Sequence, residues 1–232
     1  MMSKLAKTDS MNEILAALGM TEDDVKSELA QDLQHGMTRA KLLRIAVNHR
    51  NGKLCYEGES DEFESLTGTI VWFNPSRAWF EGDEAGGFPA CFSNDGIEPH
   101  PSSQKMQSAT CANCQKDQFG SGPNRSKACN TNQNVFFLPA DRNGVYHIRL
   151  SVKSIAPLET YIVSVISNNI PYFAVETKIT GVTQKGNYTY ATLTFETVGT
   201  IKDAERLAKI KSARQLVQTN WSKMADRDMI AE

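Results

Sequence analysis

Residues 82–134 show neither the alternation of a strand nor the 3.6-residue period of a helix, yet they hold four of the chain's five cysteines. Gly, Ser, Asn and Pro fill the rest of the stretch. A structureless segment of about 50 residues does not persist in a compact domain unless something other than a hydrophobic core holds it. The cysteine spacing supplies a candidate. Cys111 and Cys114 form a CxxC pair, with Cys91 nineteen intervening residues upstream and Cys129 fourteen downstream. A CxxC pair of thiolates grips one side of a tetrahedral ion, and two distant thiolates complete the shell. The expected ligand set is Cys91, Cys111, Cys114 and Cys129 around one zinc, whose binding energy would fold the loop.

Three other readings of these cysteines stay open. A redox CxxC sits in a βαβ unit behind a Trp, and Cys111 has neither nearby. Disulfides require an oxidising compartment. The thiols could also be unrelated. His49 and His100 are spare nitrogen donors, and Cys55 reads as a small buried apolar residue. Four thiolates would close the zinc shell, so the expected role is structural. The deaminase pattern is missing, because Ala109-Thr110 precede Cys111. P-loop, GxSxG and HExxH motifs are also missing, and an enzyme is not expected.

A net charge of −2 argues at first against a polyanionic ligand. By segment the balance is different. Residues 54–100 hold only Arg77 against ten acids, a net of −9, whereas residues 101–155 hold seven bases against Asp117 and Asp141, a net of +5. Residues 33–56 and 206–225 contain no acid and five bases each. Local potential decides what a face attracts, so nucleic acid is permitted on one side of the molecule.

The pattern divides the chain into a helical extension over residues 1–37, a β domain over 38–199 with an insertion at about 82–134, and a C-terminal helix over 200–232. In the extension, Ser10 with Glu13 and then Thr21 mark two helix starts, and Gly19 and Gly36 two stops. Strands are expected at 42–48, 68–73, 77–80, 135–138 and 145–152, with a tight turn at Asn74-Pro75-Ser76. A short helix is expected with Pro157 in its first turn, then a hairpin of 172–183 with 188–198. Six or seven antiparallel strands with a large insertion predict an α+β, mainly β, fold: an OB-like barrel presenting an open face to a ligand. The N-terminus is too polar and acidic for a signal peptide and no window is apolar enough to span a bilayer, so a cytoplasmic protein is expected.

Basic groups that track phosphates and aromatics that stack on bases are the combination of sequence-tolerant single-strand binders. The candidate contacts are Lys105, Lys116, Phe119, Arg125, Lys127, Arg149 and Lys153, with Trp72 and Trp79 on the predicted hairpin. One member of each pair Trp72-Phe73 and Trp79-Phe80 should face the core. The expected function is single-stranded nucleic-acid binding, DNA first. The alternative is a non-enzymatic structural or regulatory protein whose loop and end helices contact another protein, possible partners being replication or recombination proteins.

The stretch Phe88-Pro89-Ala90-Cys91-Phe92-Ser93-Asn94-Asp95-Gly96, then Cys111-Ala-Asn-Cys114, Gln118-Phe119-Gly120-Ser121 and Lys127-Ala128-Cys129, resembles a module of phage and mobile-element proteins. Some of these resemble phage single-stranded-DNA-binding proteins with a zinc-bearing OB-like barrel. The resemblance implies a phage replication or recombination setting and adds no catalytic residue. It covers residues 88–129, and it departs at Gln115, where many members carry Pro.

Overall fold

The computed structural model describes residues 19, 21, 23–24, 43–82, 89–185 and 189–221. The chain divides into two compact units, Met1–Lys41 and Leu42–Glu232. Within the first, Thr21 and Asp24 form a reciprocal cap: the Asp24 amide donates to Thr21 Oγ1 at 3.2 Å and the Thr21 amide to Asp24 Oδ2 at 2.8 Å. The helix start expected at Thr21 is therefore present. The helix start at Ser10 and the stop at Gly36 lie outside the described residues.

The second unit contains, among the described residues, nine strands and two helices. Strands β1 (Ile45–Val47), β2 (Leu54–Tyr56) and β3 (Glu62–Phe63) form a small antiparallel sheet in that order. The large sheet contains β4 (Ser65–Trp79), β5 (Cys91–Ser93), β6 (Cys129–Pro139), β7 (Tyr146–Leu150), β8 (Val175–Lys185) and β9 (Thr189–Thr200). Its order is β7-β6-β4-β8-β9, with β5 added to the far end of β4. Helix α1 (Val152–Ser167) follows β7, and α2 (Ala204–Trp221) follows β9.

No barrel forms. Strands β7 and β9 stand at opposite ends of the path, and neither sheet closes. The OB-like barrel expected from the strand count, and the barrel implied by the phage resemblance, are therefore corrected to an open α+β architecture. The cause is visible in the packing. A small barrel needs one inner face filled by its own side chains, whereas both faces of this sheet are buried. On one face, Leu158, Tyr161, Ile162 and Val165 of α1 share a core with Ile70, Val135, Phe137, Ile148 and Ile179, and with Ile45, Leu54 and Tyr56 of the small sheet. On the other, Ile210 and Trp221 of α2 pack with Val71, Phe136 and Phe92.

Strand β4 reaches both cores through a bulge. Ile70 pairs with Phe137 and Trp72 with Phe136, so Val71 is the extra residue. Val71 and Trp72 consequently both join the α2 core, and alternation resumes with Phe73 on the α1 side. Arg214 of α2 donates to the Val71 carbonyl at 2.8 Å, satisfying the backbone where the ladder is interrupted.

The tight turn expected at Asn74-Pro75-Ser76 is absent: β4 runs through Pro75 without a break. β8 pairs β4 over residues 65–68 and β5 over 77–79, so among the described residues no strand occupies that side of β4 at 69–76. A proline there removes no ladder hydrogen bond on the open side. Helix α1 also begins earlier than expected, with Pro157 inside it rather than in its first turn. The β8–β9 hairpin forms as its alternation predicts.

His147 of β7 is buried, 3% exposed, between Phe136 and Trp221, with Nε2 2.9 Å from Asn134 Oδ1. Burial, with Arg44 and Arg149 nearby, holds its pKa down at about 3.

Candidate cysteine cluster and basic loop

Cys129 is not the end of a loop but the first residue of β6, and Cys91 is the first of β5. Trp79 is paired with Cys91 on one side and with Cys129 on the other. Directly opposed residues share a face, so the two cysteines flank Trp79 on the sheet side that also carries Arg77 and Ser93. The segment between them folds back over this face. The His100 amide donates to the Phe92 carbonyl at 2.7 Å, Lys105 to Ala90 at 2.7 Å and Cys111 to Ile97 at 2.8 Å. His100 stacks on Phe92, ring centroids 4.7 Å apart.

Within the Ser93–Gly96 turn, burial pushes the Asp95 carboxyl up. Hydrogen bonds from the Ile97 amide, the Ser93 hydroxyl and the Glu98 amide more than offset this and hold it below its ordinary value.

The Cys111–Cys114 knuckle closes with the Cys114 amide on the Cys111 carbonyl, 3.2 Å, and continues into a 3-10 turn over Gln115–Asp117. All four cysteines line one cavity of about 20 Å³. That is room for a water or an ion, not for an organic substrate. Cys111 and Cys114 are buried there, and Cys91 and Cys129 are partly exposed. Among the described residues, no three His, Cys, Asp or Glu side chains are arranged as a ready-made metal cage.

Strand spacing keeps two of the four cysteines apart. Cys91 and Cys129 are two interstrand steps apart, about 10 Å between Cα atoms. Two bonds of about 2.3 Å at the tetrahedral angle hold a pair of sulfurs only about 4 Å apart.

Burial raises the Cys111 thiol, although a hydrogen bond with Ser93 and the nearby Arg77 oppose it. Burial and the Asp117 charge push Cys129 up to about 12. Both are neutral thiols at neutral pH, the reverse of an activated nucleophile. The charges beside them come from three bases and one acid. Buried Asp117 is ion-paired with Arg77, and with Lys127 at 3.1 Å, while Lys116 Nζ lies 4.6 Å over the Trp79 ring.

Beyond the knuckle the chain makes a compact turn. The Gly120 amide reaches the Arg125 carbonyl at 3.1 Å, the Gly122 amide the Ser126 carbonyl at 2.9 Å, and the Ala128 amide Ser121 Oγ at 2.9 Å. Asn124 and Arg125 both take positive φ, 53° and 63°. This turn leaves Phe119 82% exposed, with Lys127 Nζ 5.2 Å over its ring. Arg125 is exposed beside it.

The residues singled out as nucleic-acid contacts thus divide. Lys116, Phe119, Arg125 and Lys127 gather on the loop, and Trp79 forms part of its floor. Lys105 is exposed but ion-paired with Glu81. Arg149 lies on the α2 side of the sheet near Trp221, and Lys153 is exposed in the first turn of α1. Trp72 is packed in the α2 core, stacked on Phe136 at 5.4 Å.

Arg77 and Asp117 were not singled out by the sequence. Each is a charge exception in its own segment, and that exception was the available signal.

No protein-family model, curated protein or solved structure matches the chain. The resemblance of residues 88–129 to phage and mobile-element binding modules is thereby corrected as well. The open sheets lack the barrel it implied, and the four cysteines do not form its ready-made zinc cluster. Among the described residues, no helix is long and apolar enough to cross a membrane.

Proposed function

We propose that the chain binds single-stranded nucleic acid, DNA first, through the loop that follows the cysteine knuckle, and performs no chemistry on it. The observation that carries this reading is Phe119, a large apolar ring 82% exposed with an ammonium group over one face. Exposing such a ring to water is unfavourable, and a base stacked on it recovers that loss. Lys127 and Lys116 would then neutralise the phosphates on either side, with Arg125 extending the track. Stacking and phosphate contacts are both indifferent to sequence, so weak sequence preference is expected.

A structural zinc on Cys91, Cys111, Cys114 and Cys129 belongs to the same reading. Three features support it: four thiols on one ion-sized cavity, surrounding bases in excess, and a buried N–H of Arg77 with no acceptor. Bound there, zinc would fix the loop against the sheet as a closed thiolate shell. Reduced cysteines are needed, so a reducing, cytoplasmic setting is part of the reading.

The test is titration of a fluorescent single-stranded oligonucleotide with unlabelled single-strand, duplex and RNA competitors. Competition by single strands well ahead of duplex is expected. Undetectable binding, or equal competition by duplex, overturns the proposal.

A further inference from the structure

We infer that Arg77 is a positioning residue of the cysteine centre, whose guanidinium donates a hydrogen bond to metal-bound thiolate sulfur and thereby sets zinc affinity. The inference rests on the zinc reading above. Arg77 stands on β4 opposite Ser93 and Thr131, on the face where Trp79 separates Cys91 from Cys129. Its side chain is 21% exposed and lines the cysteine cavity. Nη1 makes a charge contact with Asp117. Nε and Nη1 are both buried, and neither has a hydrogen-bond partner.

A guanidinium cannot discharge itself by losing its proton, so the orphaned N–H calls for an acceptor. A neutral thiol accepts weakly, whereas a thiolate accepts a charge-assisted bond. The cavity supplies that acceptor only when its cysteines exchange S–H protons, released to solvent, for bonds to the ion. Charge agrees. Zinc with four thiolates carries −2, and Arg77, Lys116 and Lys127 against Asp117 leave +2 beside it.

The experiment measures zinc affinity of the full chain by competition with a chromophoric chelator, together with the sulfur-to-cobalt charge-transfer band of the Co²⁺-loaded chain. Wild type is compared with R77K, R77Q and D117N. R77K and R77Q should bind zinc about 10- to 100-fold more weakly and shift the cobalt band, as expected for loss of an outer-shell donor. R77K keeps the positive charge and removes the Nε donor, so it separates hydrogen bonding from charge and guards against misfolding of R77Q. D117N breaks the ion pair but leaves Nε in place, and it should bind zinc at least as well as wild type. Unchanged affinity and an unchanged band in R77K overturn the inference while leaving the zinc reading intact. D117N weakened as much as R77K overturns it too, since the ion pair would then be the cause. A wild-type chain that binds no zinc overturns the zinc reading and this inference with it.

Discussion

Arg77, the one base between residues 54 and 100, is ion-paired with Asp117, one of two acids between residues 101 and 155. The strongly acidic and strongly basic parts of the chain meet through their exceptions. The pair fastens the turn after Cys114 to the far end of β4, and Lys127 reaches the same carboxylate from the start of β6. Of the loop's other bases, Lys116 covers the Trp79 ring and Arg125 is exposed.

The cysteine site should tighten on one side when zinc is added. Among the described residues, Cys91 begins a three-residue strand paired to β4 alone, whereas Cys129 begins an eleven-residue strand held between β4 and β7. Drawing two sulfurs to within about 4 Å of each other across a Cα separation of about 10 Å therefore falls on β5. Hydrogen exchange with and without zinc checks this. Amides of Cys91–Ser93 should gain protection while those of the central part of β6 stay unchanged. Equal change in both strands would show that the site does not close from the β5 side.

Gly181 should tolerate no side chain. A Cβ there would lie 1.7 Å from the Gly52 carbonyl oxygen, because the β1–β2 loop rests backbone-to-backbone on β8. Neither partner is the flexible end of a side chain, and Gly52 itself has φ +75°. Gly181→Ala should destabilise by about 2–4 kcal/mol, the upper range for overpacking with backbone shift. Gly199→Ala meets nothing within 4 Å and serves as the control. Urea unfolding of both variants decides it; equal midpoints would contradict the packing described.

Acid should act through His147. Its folded-state pKa of about 3 lies below the usual value of 6.5, so between those pH values the unfolded chain takes up a proton the folded chain refuses. The stability is full above pH 6.5 and is lost as pH falls toward about 3. The slope approaches one proton, about 1.4 kcal/mol per pH unit. His147→Gln keeps an amide near Asn134 and removes the titration. Its unfolding free energy between pH 6 and pH 4 should fall less steeply than that of wild type by nearly one proton. Parallel curves would show that His147 titrates alike in both states.

Much of the fold was legible because its signals are local. Alternation over the β8–β9 hairpin, the basic helix of α2 and the cap at Thr21 each depend on neighbours in sequence. The bulge at Val71 was hidden, since an extra residue shows only against the partner strand and makes Val71 and Trp72 read as alternating faces. Pro75 misled for a related reason. It marks a turn unless the strand has an unpaired side, and the gap between β8 and β5 exists only in the assembled sheet. Openness of the sheet was likewise illegible, because strand number does not reveal that helices will cover both faces. The cysteine spacing brought four residues to one cavity, but it could not disclose that Trp79 separates two of them.

Phe119 should matter for binding and not for stability. At 82% exposure it contributes little to the core, so Phe119→Ala should leave the unfolding midpoint unchanged within about 0.5 kcal/mol. Losing one stacked base should weaken oligonucleotide binding by about 1–3 kcal/mol, between 5- and 150-fold. Fluorescence anisotropy and urea unfolding of the same preparation separate the two effects. A variant that binds as wild type removes the stacking element from the account.

The most direct test is the salt dependence of oligonucleotide affinity for wild type and for the triple variant Lys116→Gln, Arg125→Gln and Lys127→Gln. For single strands, log affinity falls with log salt at about 0.7 per phosphate neutralised. Removing three contacts should therefore lower the slope by about 2. Slopes that coincide, or binding too weak to measure for wild type at low salt, would contradict the assignment of this loop as a nucleic-acid interface.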